Sequence, residues 1–244
     1  MNILDVKINS LTWPKALEQT KLFLNDNQQH IIATINPEMV VSAQKDPEFK
    51  EVLNQADLSL PDGFGVILAS WFLGNKLKSR ITGVDFSWKL AELAENSGYS
   101  ICLVGGEKNS GPKAVKVLKK KFPRLTVFTS GNNLKLNDPI IIKEINEFKP
   151  NILLVAFGFG RQEKWIANNL DKLPSADIAI GVGGTFDFIS GRVRRAPKLM
   201  RRLGLEWLWR LVYQPWRWKR ILTATCKFSY LVVKWRLYGD QTKN

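Results

Sequence analysis

Residues 100–106 read SICLVGG, residues 152–160 read ILLVAFGFG, and residues 178–184 read IAIGVGG. Each stretch is a short apolar run that ends in glycine-containing sequence, and a helical pattern separates one stretch from the next. This order predicts parallel strands joined by crossover helices, as in one half of a doubly wound sheet. Ligands of such sheets bind at the carboxyl ends of the strands, so the glycine-containing loops mark the edge where a site is expected.

The same alternation extends towards the N-terminus. Six strands are predicted: His30 to Thr34, Leu58 to Leu60, Ser100 to Val104, Leu125 to Thr129, Ile152 to Phe157 and Ile178 to Val182. Helices are predicted where a capping residue precedes proline, at residues 36–37, 46–47 and 138–139, and through residues 63–73, 85–96 and 113–122. The predicted fold class is α/β, with a Rossmann-like parallel sheet flanked by helices.

The composition of the 244 residues is that of a globular protein, with 45% hydrophobic and 24% charged residues. Cys102 and Cys226 form no C-x-x-C pair and the chain has one histidine, which excludes a zinc site of the usual ligand spacing. The N-terminal residues show no basic segment followed by an apolar run, and no run of about 18 apolar residues occurs. We therefore expect a cytoplasmic protein that does not cross a bilayer.

Positive charge is concentrated at the C-terminal end. The formal charge of the chain is +14, and the residues from Arg192 onward hold fourteen basic and two acidic side chains, a net charge of +12. Five of the nine tryptophans lie in the same stretch. This change in composition predicts a domain boundary near Pro197, between an α/β domain (residues 1–197) and a basic, Trp-rich helical segment (residues 198–244).

The end of this segment has the pattern of an amphipathic helix. At 100° per residue from Trp218, one broad face carries Ile221, Leu222, Phe228, Leu231, Val232 and Trp235, and another carries Arg220, Lys227 and Lys234. Such a helix fits the interface of an anionic membrane. Two alternatives stay open: the apolar face packs on the domain, or the basic and aromatic side chains bind nucleic acid. We favour the membrane, because no nucleic-acid-binding signature accompanies the charge.

Polar side chains stand at three predicted strand ends: Thr34 with Asn36, Asp62, and Gln162 with Glu163. An aspartate between proline and glycine, as Asp62 is, is typical of a turn or a helix cap. Beyond the following helix lies Arg80, for which the sequence suggests no structural role. Because a guanidinium group matches phosphate oxygens, Arg80 is a candidate anion ligand.

The glycine loops match no nucleotide-binding fingerprint. The loop Gly158-Phe159-Gly160 fails as a dinucleotide fingerprint because Glu163 occupies the third glycine position, and the P-loop pattern does not occur. We therefore assign no cofactor and no metal.

Six separated motifs in order resemble those of the WecG/TagA/CpsF glycosyltransferases, and the resemblance spans nearly the whole chain. The motifs are Thr34-Ile35-Asn36-Pro37-Glu38, Leu60-Pro61-Asp62-Gly63, Arg80-Ile81-Thr82-Gly83-Val84-Asp85, Gln162-Glu163-Lys164-Trp165, Gly181-Val182-Gly183-Gly184, and Arg195-Ala196-Pro197 followed by Glu206-Trp207-Leu208-Trp209-Arg210. One departure is visible. Gly160 and Arg161 stand before Gln162, where proline and lysine are expected.

The resemblance implies a hexosyltransferase of bacterial surface polysaccharide or teichoic acid linkage-unit synthesis. It would move an N-acetylmannosamine-type sugar from a UDP donor, with inversion, to the 4-hydroxyl of N-acetylglucosamine on a polyprenyl (undecaprenyl) diphosphate carrier. Such a transfer needs a carboxylate as general base and positive charge on the departing diphosphate. No Asp-x-Asp motif for a divalent metal occurs. Arginines are therefore expected to replace the metal.

Our hypothesis assigns Asp62 as the general base, with Arg80 beside it in the catalytic site. Thr34, Asn36 and Gln162 position the sugar and phosphates. The family resemblance makes Arg210, Arg217 and Arg220 the best candidates to close over the diphosphate and the lipid carrier.

The loop with Gly183, Gly184 and Asp187 is expected to lie against the nucleotide. A tight turn is the alternative for the glycines, and Asp187 either holds a ribose hydroxyl or caps the turn. With this activity, residues 1–197 would be the catalytic domain and residues 198–244 the segment that closes the site and associates with the membrane.

The same hypothesis predicts the partners. The protein would lie peripherally on the inner face of the cell membrane, with an anionic membrane surface as partner and no nucleic acid. The family leads us to expect self-association through the α/β domain. The alternative function is a basic nucleic-acid- or lipid-binding protein without turnover, and we disfavour it because Asp62 and Arg80 occur together.

Overall fold

The computed structural model describes residues 1–239, so the last five residues of the predicted segment 198–244 lie outside the described part. The strands are β1 (Asn2–Ile3), β2 (Val6–Lys7), β3 (His30–Ile35), β4 (Leu58–Pro61), β5 (Ser100–Gly105), β6 (Thr126–Ser130), β7 (Ile152–Ala156) and β8 (Ile178–Gly181). The helices of the α/β part are α1 (Trp13–Phe23), α2 (Pro37–Ala43), α3 (Pro47–Gln55), α4 (Phe64–Phe72), α5 (Gly83–Ser97), α6 (Ser110–Lys121), α7 (Pro139–Phe148), α8 (Arg161–Asn169) and α9 (Thr185–Ile189).

Strands β3 to β8 form one parallel sheet in the order β4-β3-β8-β7-β5-β6. All six predicted strands are therefore confirmed, as is the α/β fold class with helices on both faces. The short hairpin of β1 and β2 was not predicted, because two-residue strands leave no periodicity to detect. Both neighbours of β5 follow it in the chain, so the direction of strand addition reverses there, which is the topology that opens a crevice at the carboxyl edge.

Side chains alternate between the two faces of the sheet. In β5, Ile101 and Leu103 pack into the core beneath α5 and α6, whereas Cys102 and Val104 pack towards α7 and α8. Beneath α2 and α4 lies another apolar cluster, which includes Ala33 of β3. The sheet is thus buried on both faces, which explains the nearly continuous apolar runs of its strands.

The predicted caps form at three helices. Asn36 Oδ1 accepts a hydrogen bond from the Met39 N–H at 3.1 Å, and Asp46 and Asp138 cap α3 and α7 in the same way. The predicted start of α6 at Lys113 is wrong by three residues. Asn109, with a φ of +59°, turns the chain into the helix at Ser110.

The C-terminal segment continues as short helices that return across the sheet edge. It comprises α10 (Lys198–Arg202), α11 (Glu206–Tyr213), a 3-10 turn (Pro215–Arg217), α12 (Trp218–Leu222), a π-helical turn (Thr223–Lys227) and α13 (Phe228–Tyr238). Phe228 and Val232 of the predicted apolar face are buried in the cluster beneath α2 and α4, and Leu231 and Trp235 pack against the same cluster. Ile221 is also buried, whereas Leu222 is exposed. The alternative of packing on the domain therefore describes most of this face. No helix within residues 1–239 is both long and apolar enough to cross a membrane.

Candidate active site

The carboxyl edge of the sheet opens into a cleft of about 1450 Å³. The predicted site residues that line it are Thr34, Asn36, Asp62, Gln162, Gly183, Gly184, Asp187, Arg210, Arg217 and Arg220. Arg80 instead lines an adjoining groove of about 540 Å³. The cleft brings these residues together because β4, β3, β8 and β7 are neighbours, so the loops that follow them meet at one edge.

Asp62 follows β4 and is held by two backbone groups. Its N–H donates to the Ile35 carbonyl oxygen at 2.7 Å, and its Oδ2 accepts from the Gly83 N–H at 3.1 Å. Burial raises the pKa of Asp62 to about 6, the Gly83 hydrogen bond and the charges of Arg210 and Arg80 oppose this rise, and Glu206 adds to it. Within residues 1–239 no cation forms an ion pair with Asp62. Its carboxylate is therefore available to accept a proton near neutral pH.

Thr34 lies on the neighbouring strand β3, and Asn36 directly follows that strand. The Thr34 hydroxyl donates to the Gly181 carbonyl oxygen at 3.0 Å, which ties β3 to β8 at the floor of the cleft. Asn36 uses its Oδ1 as the cap of α2. Both side chains thus have a structural contact in addition to lining the cleft.

Gln162 is buried and spans two loops of the site. Its Oε1 accepts from the Gly183 N–H at 3.0 Å, and its Nε2 donates to Glu163 Oε1 at 2.7 Å. The other oxygen of Glu163 accepts from the Gly160 N–H at 2.7 Å. Burial raises the pKa of Glu163 to about 7, although the hydrogen bonds from Gln162, its own backbone and Gly160 favour the charged form. Glu163 therefore orients the Gln162 amide, a role that the sequence did not reveal.

Asp187 lies in the first turn of α9, at the far wall of the cleft. Arg192 binds its Oδ1 through Nε at 2.8 Å and Nη2 at 2.7 Å. The carboxylate is thus shared with an arginine that also lines the cleft.

The three arginines of the C-terminal segment converge over the site. Arg220 donates twice to Glu38 Oε2, at 2.6 and 2.8 Å, and Arg210 lies 3.9 Å from Glu206. Arg217 has no ion-pair partner within residues 1–239. Burial lowers its pKa to about 10, and the charges of Arg220 and Arg210 contribute to this lowering. Positive charge in excess of its partners is therefore held at the mouth of the cleft.

A partly buried ion pair at the end of the α/β part contacts the C-terminal segment through Glu206. Arg195 donates to both carboxylate oxygens of Asp85, at 2.5 and 2.7 Å, and to the Thr82 hydroxyl at 3.2 Å. Its Nε lies 3.6 Å from Glu206 Oε1. Arg195 and Glu206 stand in quoted motifs but had no assigned function. Their role is visible only once residues 110 positions apart are seen in contact.

Asp62 stands where the cleft and the groove meet. Asn36, Asp62 and the three C-terminal arginines line both spaces. The cleft is lined mainly by loops and polar side chains, whereas the groove runs between α4 and α13 along apolar side chains. A carboxylate with a raised pKa, flanked by guanidinium groups, therefore faces two spaces of different chemistry. No group of three or more His, Cys, Asp or Glu side chains within residues 1–239 is arranged to hold a metal ion.

The model of the glycosyl transferase WecG/TagA/CpsF family matches residues 1–242. This chain belongs to the WecG/TagA/CpsF glycosyltransferase family. The resemblance inferred from the six motifs is thus confirmed.

Three curated relatives of this WecG/TagA/CpsF member carry the name N-acetylglucosaminyldiphosphoundecaprenol N-acetyl-beta-D-mannosaminyltransferase. The Bacillus subtilis (strain 168) protein is 36% identical over 214 residues, which cover 88% of this chain and 83% of the relative. The Bacillus spizizenii protein is 34% identical, covering 96% and 90%. The Staphylococcus aureus (strain MRSA252) protein is 30% identical, covering 96% and 92%.

Proposed function

We propose that this protein is an inverting hexosyltransferase that moves an N-acetylmannosamine-type sugar from a UDP donor to the 4-hydroxyl of N-acetylglucosamine on a polyprenyl diphosphate. The position of Asp62 between a polar cleft and an apolar groove carries the proposal. Two substrates must meet at one base in this reaction, and one of them has a lipid tail. The names of the relatives support the same acceptor and sugar.

The chemistry is a single displacement. Asp62 takes the proton of the acceptor 4-hydroxyl while the hydroxyl oxygen forms a bond to C1 of the transferred sugar. The bond between C1 and the diphosphate oxygen breaks on the opposite side. UDP leaves with the bonding electron pair, and the configuration at C1 inverts. The raised pKa of Asp62 makes it a stronger base than an ordinary aspartate and leaves it mostly ionised at pH 7.

Charge on the departing diphosphate is proposed to be neutralised by Arg210, Arg217 and Arg220, with Arg80 on the acceptor side of Asp62. Guanidinium groups that are already in position before the reaction stabilise the negative charge that develops on the diphosphate, as a divalent ion does in other transferases. Thr34, Asn36 and Gln162 would position the sugar. The Gly183-Gly184 turn and Asp187 would contact the nucleotide.

We place the protein peripherally on the inner face of the cell membrane. Exposed tryptophans and basic side chains of the C-terminal segment, among them Trp216, Trp218 and Lys219, support this location. Self-association through the α/β domain stays a prediction.

The decisive experiment is release of UDP from a panel of UDP-sugars, with a short-chain polyprenyl-diphosphate N-acetylglucosamine acceptor. We expect acceptor-dependent release from a mannosamine-type donor that survives EDTA and yields the inverted anomer by NMR. Loss of activity in EDTA that Mg²⁺ restores would contradict the arginine assignment. No release from any donor by folded protein would contradict the proposed reaction and favour binding of lipid or nucleic acid without turnover.

Replacing Glu163 with glutamine tests the hydrogen-bond chain to the donor loop. The amide introduced by Glu163→Gln must point its NH₂ at either the Gly160 N–H or the Gln162 NH₂, so one donor faces another. We expect the KM for the UDP-sugar to rise by about tenfold. Titration calorimetry should also show that wild-type affinity for the donor falls as pH drops through 7 and that this dependence is lost in Glu163→Gln.

The matched control for this variant is Glu48→Gln. Glu48 is exposed and pairs at 2.6 Å with Lys164, the residue next to Glu163 on α8, without lining the cleft. Its removal should leave donor affinity and its pH dependence unchanged. Equal effects of the two substitutions would contradict the positioning role of Glu163.

A further inference from the structure

The adjoining groove has an apolar floor that the proposed chemistry at Asp62 does not use. It lies between α4 and the C-terminal helices, and its apolar lining includes Leu68, Phe72, Trp207, Ile221, Val232 and Val233. Its volume of about 540 Å³ is typical of sites for small organic ligands. At one end stand Asp62, Arg80 and Arg217.

Three local features build the groove. Gly65 lets the start of α2 approach α4, because a Cβ at that position would lie 2.9 Å from Pro37 Cγ, and the Ala224 carbonyl oxygen of the π-helical turn lies beside it at 3.7 Å. The π-helical turn itself is an irregularity of the kind found at functional sites. At the far end Arg236 donates to the Phe72 carbonyl oxygen and stacks 4.5 Å from the centre of its ring, which joins α13 to α4.

We propose that this groove binds the first isoprene units of the acceptor's polyprenyl chain, with the diphosphate at the arginine end and the sugar at Asp62. The inference rests on the proposed function, since it concerns the acceptor of that reaction. It assigns the lipid tail a protein site of its own. The first isoprene units of the polyprenyl chain would then lie in the protein and outside the membrane.

The distribution of charge selects this occupant. The acceptor diphosphate carries negative charge and meets Arg80 at the end where Arg217 and Arg220 also line the groove, whereas most of the remaining lining is apolar. The rim is also apolar and open, with Leu68 47% and Val233 43% exposed. A ligand with an anionic head and a hydrocarbon tail matches this polarity, and an apolar peptide or a soluble nucleotide does not.

Binding of prenyl diphosphates in solution tests the proposal without vesicles or turnover. Isothermal titration of the full chain should show affinity increasing from isopentenyl to geranyl to farnesyl diphosphate, by about tenfold or more in total, because each added unit buries apolar surface. Inorganic diphosphate serves as the probe for the arginine end alone. In Leu68→Glu and Val233→Glu we expect the chain-length dependence to disappear while inorganic diphosphate binds as in the wild type.

Tyr230→Glu is the matched control. Tyr230 is on α13 and 65% exposed but does not line the groove, so the same charge placed there should leave the chain-length dependence intact. The two test positions are exposed, and thermal unfolding will verify that each variant is folded. An unchanged dependence in both groove variants, or none in the wild type, would overturn the proposal. So would loss of vesicle binding in Leu68→Glu with no effect on prenyl diphosphates.

Failure of this inference and failure of the proposed function give different results. Sugar transfer whose KM for the acceptor is independent of prenyl length would support the proposed reaction and contradict the lipid site in the groove. Length-dependent binding that Leu68→Glu abolishes, with no transfer from any UDP-sugar, would support the lipid site and contradict the proposed reaction.

Discussion

Asp62→Asn is expected to lower kcat by about 10³-fold, within the range of general-base contributions. Asparagine keeps the size of the side chain and an oxygen that can accept the Gly83 N–H, so the loop after β4 should retain its geometry. What it loses is the ability to take the acceptor proton. The measurement is steady-state release of UDP with saturating donor and acceptor, and the KM for the donor should change little. Near-normal turnover in folded Asp62→Asn would disprove the base assignment.

The pH profile of the wild type supplies an independent test of this assignment. The pKa of Asp62 is raised to about 6, chiefly by burial, so the reactive ionised form is lost as pH falls through 6. We expect log kcat, measured at saturating donor and acceptor, to decline with a slope of one below this value and to be level between pH 7 and 8. An ordinary, exposed aspartate would keep the enzyme active to about pH 4. In Glu163→Gln the decline of kcat below pH 6 should be unchanged, because Glu163 affects the affinity for the donor and not the proton transfer to Asp62.

The same raised pKa implies a cost in stability. A carboxyl whose folded pKa exceeds its unfolded pKa destabilises the folded protein as pH rises through the interval between them, here about 4 to 6. Above pH 6 the free energy of unfolding should therefore increase by roughly 1–3 kcal/mol in Asp62→Asn. A variant that is more stable and less active would show that burial of the Asp62 carboxylate destabilises the folded protein. At about pH 4 the stability difference should vanish.

Strands were predictable because six apolar runs coincide with six buried strands of one parallel sheet. Helix α8 was not predicted, since its sequence RQEKWIANN is mostly polar and only part of it faces the core. The terminal helix shows a further limit. Periodicity identified its apolar face but does not distinguish a membrane from the α2–α4 surface that buries Phe228 and Val232.

The site was predictable to the extent that it consists of strand ends. Thr34, Asp62 and Gly183 could be grouped because the carboxyl ends of parallel strands share one edge. Glu206 could not be placed beside Asp62, because 144 residues separate them and only tertiary packing brings the two carboxylates near each other. The two spaces that meet at Asp62 were invisible for the same reason, since their walls come from both ends of the chain.

The C-terminal arginines lead to the second large effect. Within residues 1–239 Arg217 forms no ion pair. Burial and the charges of Arg220 and Arg210 oppose its charge more than Glu38 and Asp187 favour it. Its pKa of about 10 still leaves it protonated at neutral pH. An arriving diphosphate removes both penalties at once. Arg217 should therefore bind the charge that develops on the leaving group more strongly than an isolated surface arginine would.

Arg217→Ala is expected to reduce kcat/KM by about 10²-fold or more, as loss of a preorganised charge at a reacting oxyanion does. Arg217→Lys should recover part of the loss, because it restores a charge without the planar fork. The affinity for UDP, measured by titration, should weaken in parallel. The melting temperature should be maintained or increased, because a half-buried charge repelled by its neighbours has been removed. Arg202→Ala provides the comparison, since Arg202 is exposed and lines neither the cleft nor the groove.

The contrast between these two variants separates two origins of the arginine effect. If positive charge served only to attract the chain to anionic lipid, Arg202→Ala and Arg217→Ala would lower activity equally on vesicles and not at all with a short, soluble acceptor. If Arg217 binds the departing diphosphate, the loss of activity in Arg217→Ala persists with the soluble acceptor and does not depend on vesicles. Leaving-group chemistry gives a further discriminator. A UDP-sugar analogue with a better leaving group should narrow the difference between wild type and Arg217→Ala, because less charge then needs stabilisation in the transition state.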